Sequence, residues 1–269
     1  MAELARVTVF PVKSLDGLAL ERATVGDRGA LDLDREYALF DADGDYVNGK
    51  ATSEVHRIAS WFDPGTHALT VDAPGMDEAT FALADADGRA AAGAWFSDFF
   101  GREVTVEPDD AGGFPDDEAL HGPTVISTAT LRAVAGWFDL PVESVRRRFR
   151  ANLELGGGDD DLPAFWEDRL FADHGEAVPF EIGGVTFEGR NPCQRCVVPT
   201  RDPDTGEALA GFRETFVRRR RETLPEWTDS DRFDHPYRLM VNTVVPESAV
   251  GGTLQTGDAV SVGDVRATD

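Results

Sequence analysis

The stretch Cys193-Gln194-Arg195-Cys196-Val197-Val198-Pro199-Thr200-Arg201-Asp202-Pro203-Asp204-Thr205-Gly206 decides how this chain is read. It carries both cysteines of the 269 residues, three positions apart. Four chemistries fit such a pair. A structural zinc ion needs four soft ligands, usually from two such pairs; the histidines (His56, His67, His121, His174, His235) are scattered without ligand spacing. A redox dithiol would open a helix, whereas Val197 to Thr200 reads as extended and Pro199 blocks a helix interior. Two inert buried thiols are the plainest reading. The fourth is a thiolate ligand to a soft transition metal, with Arg195 beside it to favour the ionised form. Asp202 to Gly206 has the composition of a turn.

With 41% hydrophobic residues the chain can bury one large core or two modest ones. No apolar run approaches the roughly twenty residues of a membrane span. Met1-Ala2-Glu3-Leu4-Ala5-Arg6 lacks the basic and apolar regions of a signal peptide. With two thiols at disulfide-poor spacing, this points to a reducing cytoplasm. The net charge is −24. Acidic residues crowd Asp41-Ala42-Asp43-Gly44-Asp45, Asp159-Asp160-Asp161 and Asp229-Ser230-Asp231. Such a surface repels nucleic acid and anionic lipid. It fits a halophilic setting, where salt screens the self-repulsion, or a basic partner. Cations stand out against it. Lys13 and Lys50 are the only lysines, and Arg146-Arg147-Arg148-Phe149-Arg150 places four arginines in five positions. Arginine suits bidentate contact with phosphate; neutralising nearby carboxylates is the competing use.

Arg6 to Val12 alternates as a half-buried strand does. Glu36 to Phe40 runs through Asp41-Ala42-Asp43-Gly44 into Asp45-Tyr46-Val47, a hairpin signal. Asp41 to Asp45 also resembles the start of a calcium loop, but Thr52 stands where the closing bidentate Glu belongs. Ala68 to Val71, Thr80 to Leu83 and Val104 to Val106 read as strands, with a turn at Asp85-Ala86-Asp87-Gly88 and a short helix over Ala94 to Phe100. Residues 109–123 are polar, rich in Gly and Pro, and read as a linker or long loop. A second unit opens at Thr124, where Ser127 or Thr128 caps a helix with Leu131, Val134, Ala135 and Phe138 on one face. Gly156-Gly157-Gly158 reads as a flexible loop, and Pro179 to Glu188 as strand-like pieces. Phe212 to Leu224 reads as a helix with Phe212 and Phe216 inward and Arg218 to Arg221 mostly outward, and Gly252 to Val262 as a hairpin. The chain is therefore expected to be mostly β (α+β) with a few helices, in barrels or sandwiches. P-loop, dinucleotide-fingerprint, zinc-protease and nucleophile-elbow motifs are absent from the sequence.

Arg195 to Gly206 closely resembles the signature of MOSC-domain proteins, in the branch of the mitochondrial amidoxime-reducing component. Other segments agree in order: Phe10-Pro11-Val12-Lys13-Ser14 resembles the family's Y-P-V-K-S, and Asp34-Arg35-Glu36-Tyr37 its D-R-x-W with Tyr for Trp. Phe149-Arg150-Ala151-Asn152 resembles F-R-P-N with Ala for Pro, Phe165-Trp166-Glu167-Asp168 the E-D-x-W region, and Gly252 to Asp258 the closing G-x-I-x-x-G-D. The resemblance implies an N-terminal β-barrel domain over residues 1–110, a linker over 111–123 and a MOSC β-barrel domain over 124–266, with a molybdenum cofactor (a molybdopterin, molybdenum or tungsten) between them. It implies that Cys196 ligates the metal and that Lys13, Ser14, Arg35, Arg150 and Asn152 hold the pterin and its phosphate. Lys50 is a looser match, Gln194 stands at a cofactor-contacting Ser, and Arg195 flanks the thiolate. The implied activity is two-electron reduction of an N-hydroxylated small molecule; the alternative is a cofactor or sulfur carrier without turnover. Two cysteines cannot hold an iron–sulfur cluster, so the resemblance calls for a separate electron donor of the ferredoxin or flavin type. Independently, a phosphate-bearing dithiolene on a soft metal calls for one thiolate and a few cations, and both lysines of this lysine-poor chain fall at implied positions.

Overall fold

In a computed structural model of the chain, residues 1–117, 119–157 and 162–268 are described. The acidic run Asp159-Asp160-Asp161, Gly158 and the final Asp269 lie outside them. The first strand, β1 (Ala2–Val9), buries Ala2, Leu4, Val7 and Val9, so it is an interior strand, paired on both sides. One neighbour is β2 (Leu18–Leu20); β3 (Arg22–Thr24) follows. Then come β4 (Tyr37–Asp41), the meander β5 (Ala59–Asp63), β6 (Ala68–Asp72) and β7 (Ala79–Ala82), helix α1 (Ala86–Phe100), and β8 (Val104–Pro108), which returns to pair with β4. β9 (Val125–Ser127), α2 (Thr128–Phe138), α3 (Val142–Phe149) and β10 (Leu153–Gly157) make a crossover whose two strands run parallel. The rest is β11 (Glu176–Ile182), β12 (Val185–Gln194), α4 (Phe212–Glu222), β13 (Arg238–Val244), β14 (Thr253–Gln255), β15 (Val260–Val262) and β16 (Arg266–Ala267). The fold is mostly β, with four α-helices among the described residues.

The large sheet runs β15-β11-β12-β13-β9-β10-β1-β2. It curls until Ala259, just before β15, bridges Glu3 of β1, which joins the sheet to itself as a barrel. Leu4 N–H donates to the Asp258 carbonyl (2.8 Å) and Gly257 N–H to the Leu4 carbonyl (2.8 Å), fixing that seam. One apolar cluster fills this barrel and draws on Val7, Val9 and Val25 as well as Leu153, Phe180, Phe187 and Leu254. A second lies under the meander around Leu39, Val71, Phe96 and Val106, and a third packs α2, α3 and α4 through Leu131, Phe149, Phe212 and Phe216. Strands β1 and β2 share this sheet with strands of the C-terminal half, while β4 to β8 form separate small sheets.

Several local expectations are corrected. Asp85 to Gly88 is no turn; Asp85 is the N-cap of α1, and Gly88 lies where a Cβ would come 1.9 Å from the Ala82 carbonyl oxygen, so the glycine serves close packing. Gly156 and Gly157 are strand residues paired with Glu3 and Ala2, not a loop. Residues 252–262 hold two strands that pair with different partners, β14 with β3 and β15 with β11, rather than with each other. Val198–Thr200 is a short 3-10 turn, not extended, because proline in a first helical turn needs no N–H acceptor. Ser127 is the cap of α2, accepting from Thr130 N–H.

One arginine of α4 points inward, against the polar reading of that helix. Arg220 is fully buried, lies 4.1 Å from the Phe165 ring and 4.7 Å from the Phe233 ring, and donates to the Asp168 carboxylate. Asp168 also accepts from Thr228 Oγ1 at 2.8 Å, and neighbouring Glu167 accepts from Ser127 N–H (3.2 Å) and Thr130 Oγ1 (2.9 Å). Burial pushes the Glu167 carboxyl upward, and the Asp168 charge adds to it. The region that resembles the family's E-D-x-W therefore ties α4 to the β9–α2 corner. Removing one partner of a buried ion pair strands the other charge. Arg220→Ala is expected to destabilise the protein by about 3–5 kcal/mol in denaturant titrations at constant salt.

Candidate functional site

A cavity of about 350 Å³ opens among the loops that follow β1, β3, β4, β8 and α3 and the end of β12. All nine residues singled out in the sequence line it: Lys13, Ser14, Arg35, Lys50, Arg150, Asn152, Gln194, Arg195 and Cys196. The local backbone is built for this. Ser14 (φ 73°), Arg35 (φ 58°), Arg150 (φ 56°) and Met240 (φ 64°) are non-glycine residues in the left-handed region, and all four face the cavity. That conformation costs about 1–2 kcal/mol per residue and concentrates at functional sites. Arg150 adopts it as the C-cap of α3, which lays its guanidinium 4.0 Å from the Phe10 ring.

The arginine run divides its labour. Arg146 is paired with Glu143 and with Glu154 (2.7 Å), and Arg147 with Asp204 (2.6 Å) and Asp16 (3.1 Å). Arg148 is buried against the Pro199 and Arg201 carbonyls and Asp202 (3.2 Å), which anchors the Cys196 loop to α3. Asp202 is in turn spent on its own turn, accepting from Asp204 and Thr205 N–H groups at 3.1 Å each. Only Arg150 of the four reaches the cavity. Its Nη2 is buried without a hydrogen-bond acceptor, and burial, then Arg35, lowers its pKa to about 10. A desolvated guanidinium with an idle donor is a standing demand for an anion.

The other cations are less idle. Lys13 is 5% exposed and donates to Phe114 O (2.8 Å), Pro115 O (3.3 Å) and Asp116 Oδ1 (3.0 Å). Burial pulls its ammonium below the ordinary range against the pull of Asp116. Lys50 reaches the same Asp116 oxygen at 3.2 Å. Arg35 is bonded to Asp34 and lies 5.3 Å from Phe10. Asn152 is committed to the backbone, accepting from Thr124 N–H and Oγ1 at 3.1 Å each and donating to Thr8 O at 3.2 Å, so it positions the wall. Ser14 Oγ accepts from Gly49 N–H at 3.2 Å. Arg195 donates to Cys193 Sγ (3.1 Å) and to Phe149 O (3.1 Å): the nearby guanidinium serves the first cysteine, leaving the Cys196 thiol on the cavity wall. Among the described residues there is no cluster of three or more His, Cys, Asp or Glu placed to hold a metal ion.

Residues 1–103 match the MOSC N-terminal beta barrel domain, and residues 113–264 match the MOSC domain. The chain belongs to the MOSC-domain family. No curated protein matches it. Among solved structures, the YuaD protein from Bacillus subtilis is similar over 97% of this chain and 94% of that one, at 12% identity and a TM-score of 0.40. No helix among the described residues of this MOSC chain is long and apolar enough to cross a membrane.

Two cavity groups were missed by sequence reasoning. Asp116 lay in a segment read as linker, and His56 was one scattered histidine. His56 Nε2 is buried without a partner beside the Gly49 main chain, and the ring lines the same cavity. Burial, then Arg150, Arg201 and Arg148, lowers its pKa from 6.5 to about 4. The unfolded ring binds its proton near 6.5 and the folded ring only near 4, so between those values the unfolded chain holds more protons. Stability is therefore expected to fall as pH drops through that window, and His56→Gln to flatten that fall, as read from denaturation midpoints at fixed ionic strength.

Proposed function

We propose that this chain is a molybdenum-cofactor oxidoreductase that reduces N-hydroxylated small molecules with electrons from a separate ferredoxin- or flavin-type donor. One observation carries this reading: a thiol, Cys196, shares a cavity with a half-buried guanidinium, Arg150, whose buried Nη2 has no acceptor. The donor set suits a molybdopterin, in molybdenum or tungsten form, because a phosphate answers the arginine and a soft metal answers the sulfur.

Under this proposal Arg150 and Arg35, whose guanidiniums both approach the Phe10 ring, would hold the phosphate. Ser14 fixes the Gly49 main chain at the cavity edge, and Asn152 keeps the strands beneath in register. Arg148, through the Pro199 and Arg201 carbonyls, holds the loop that presents the Cys196 thiolate to the metal. Gln194, exposed at the end of β12, borders the open side where substrate enters. When bound, the metal centre supplies the two-electron redox chemistry; the protein supplies orientation and electrostatics. The two cysteines of these 269 residues are too few for an iron–sulfur cluster, which is why a donor is part of the proposal. A reducing, high-salt cytoplasm belongs to the same reading, resting on two free thiols and a net charge of −24.

Protein purified from its own host is expected to carry molybdenum or tungsten and to reduce a hydroxylamine-type substrate with an artificial reductant. Cys196→Ser is expected to lose both metal and turnover while keeping its circular dichroism. Full metal content in Cys196→Ser would sink the ligand assignment; metal without turnover in the wild type would leave a carrier.

A further inference from the structure

The segment 112–116 is seated across the cation cluster by several independent contacts. Gly113 (φ +69°) lies against the main chain of residues 34–35, where a Cβ would come 2.6 Å from Asp34 O and 2.8 Å from Arg35 O, so only glycine fits. Phe114 N–H donates to Arg35 O at 2.9 Å, and the Phe114 ring packs edge-on to Phe40 (5.5 Å) and Tyr46 (6.2 Å). These anchors bring Asp116 Oδ1 to 3.0 Å from Lys13 Nζ and 3.2 Å from Lys50 Nζ. Lys13 has nowhere else to turn: its acceptors are the Phe114 and Pro115 carbonyls and this carboxylate. Burial alone would raise the Asp116 carboxyl, but Arg35, Lys13 and Lys50 hold it well below the usual carboxylate range. Its side chain is nonetheless about half exposed, so the carboxylate can leave toward solvent.

We propose that Asp116 is a built-in counter-anion that sets how strongly charged a group the cavity accepts: it occupies Lys13 and Lys50 and yields only to a group carrying more charge than its own. This rests on reading the cavity as the site of an anionic cofactor. At molar salt an open lysine pair in a partly desolvated wall would collect single small anions. A resident carboxylate excludes them by charge, whereas a doubly charged phosphate displaces it and also satisfies Arg150.

The test titrates sulfate, a dianion that does not protonate where the protein is folded, and nitrate, a monoanion, at constant ionic strength. The proteins are wild type, Asp116→Asn and Asp116→Ser, with thermal unfolding checking the fold of each. Either variant is expected to bind sulfate about tenfold more tightly than wild type, the modest gain appropriate to a half-exposed charge pair. Both should bind nitrate, which wild type excludes. In Asp116→Asn/Arg150→Ala the sulfate gain is expected to disappear, which locates it in this cavity. Unchanged or weaker sulfate binding in both folded variants would overturn the proposal, as would a gain that survives loss of Arg150. The titration needs no metal, so an absent cofactor in native protein would fail the oxidoreductase reading separately.

Discussion

Arg150 is a half-buried guanidinium whose Nη2 is shut away from solvent and left unanswered, and the surrounding fold is arranged to keep it there. Desolvation of a cation is expensive unless an anion or a π face offsets it. Here the Phe10 ring offers a face at 4.0 Å, and Arg35 close by opposes the charge, while Asp16, Asp116 and Asp34 offset the burial only in part. In a chain with 50 acidic residues, an unanswered guanidinium nitrogen is the feature on which the proposed ligand site rests. His56, half-buried with an unpartnered Nε2 and with Arg150, Arg201 and Arg148 near it, belongs to the same pattern.

The barrel makes this placement possible. Phe10 to Leu15 leave β1, Arg150 and Asn152 precede β10, and these two strands are neighbours in the sheet. Strand β12 ends at Gln194, beside Arg238 of β13, and delivers the cysteine loop to the same rim. The connection from β4 to β5 contributes Gly49, Lys50 and His56. The site thus draws on residues as far apart as Ser14 and Met240, brought together by strand ladders. Arg148 adds a second constraint, since a buried cation bonded to two carbonyls of the cysteine loop transmits the position of α3 to that loop.

Much of this was legible in the sequence, for identifiable reasons. The two lysines and the arginine run stood out because a chain this acidic makes every cation conspicuous, whereas Ser14, Arg35, Asn152, Gln194 and the ligand role of Cys196 came from the resemblance; all nine positions line one cavity. Helix α2 was readable from its Ser127 cap and its apolar spacing. What escaped was non-local. The inward turn of Arg220 depends on Asp168, which lies 52 residues away. The pairing of β1 with β10 made strand residues of two glycines that read as a loop. Asp116 could not be told from other acidic linker residues, because its meaning comes from Gly113 seating against residues 34–35. Composition does not say which arginine of 146–150 faces the cavity; the resemblance of Phe149 to Asn152 to F-R-P-N singled out Arg150, and the left-handed cap there is what places it so.

The central claim is that a phosphate-bearing pterin answers the unpaired guanidinium of Arg150. The most direct measurement is the pterin content of protein purified from its own host, wild type against Arg150→Met, quantified after oxidation to a fluorescent product. The account predicts close to one pterin per chain in the wild type and little in the variant, with the fold retained. Wild-type protein devoid of pterin, or a variant that keeps its full complement, would contradict it.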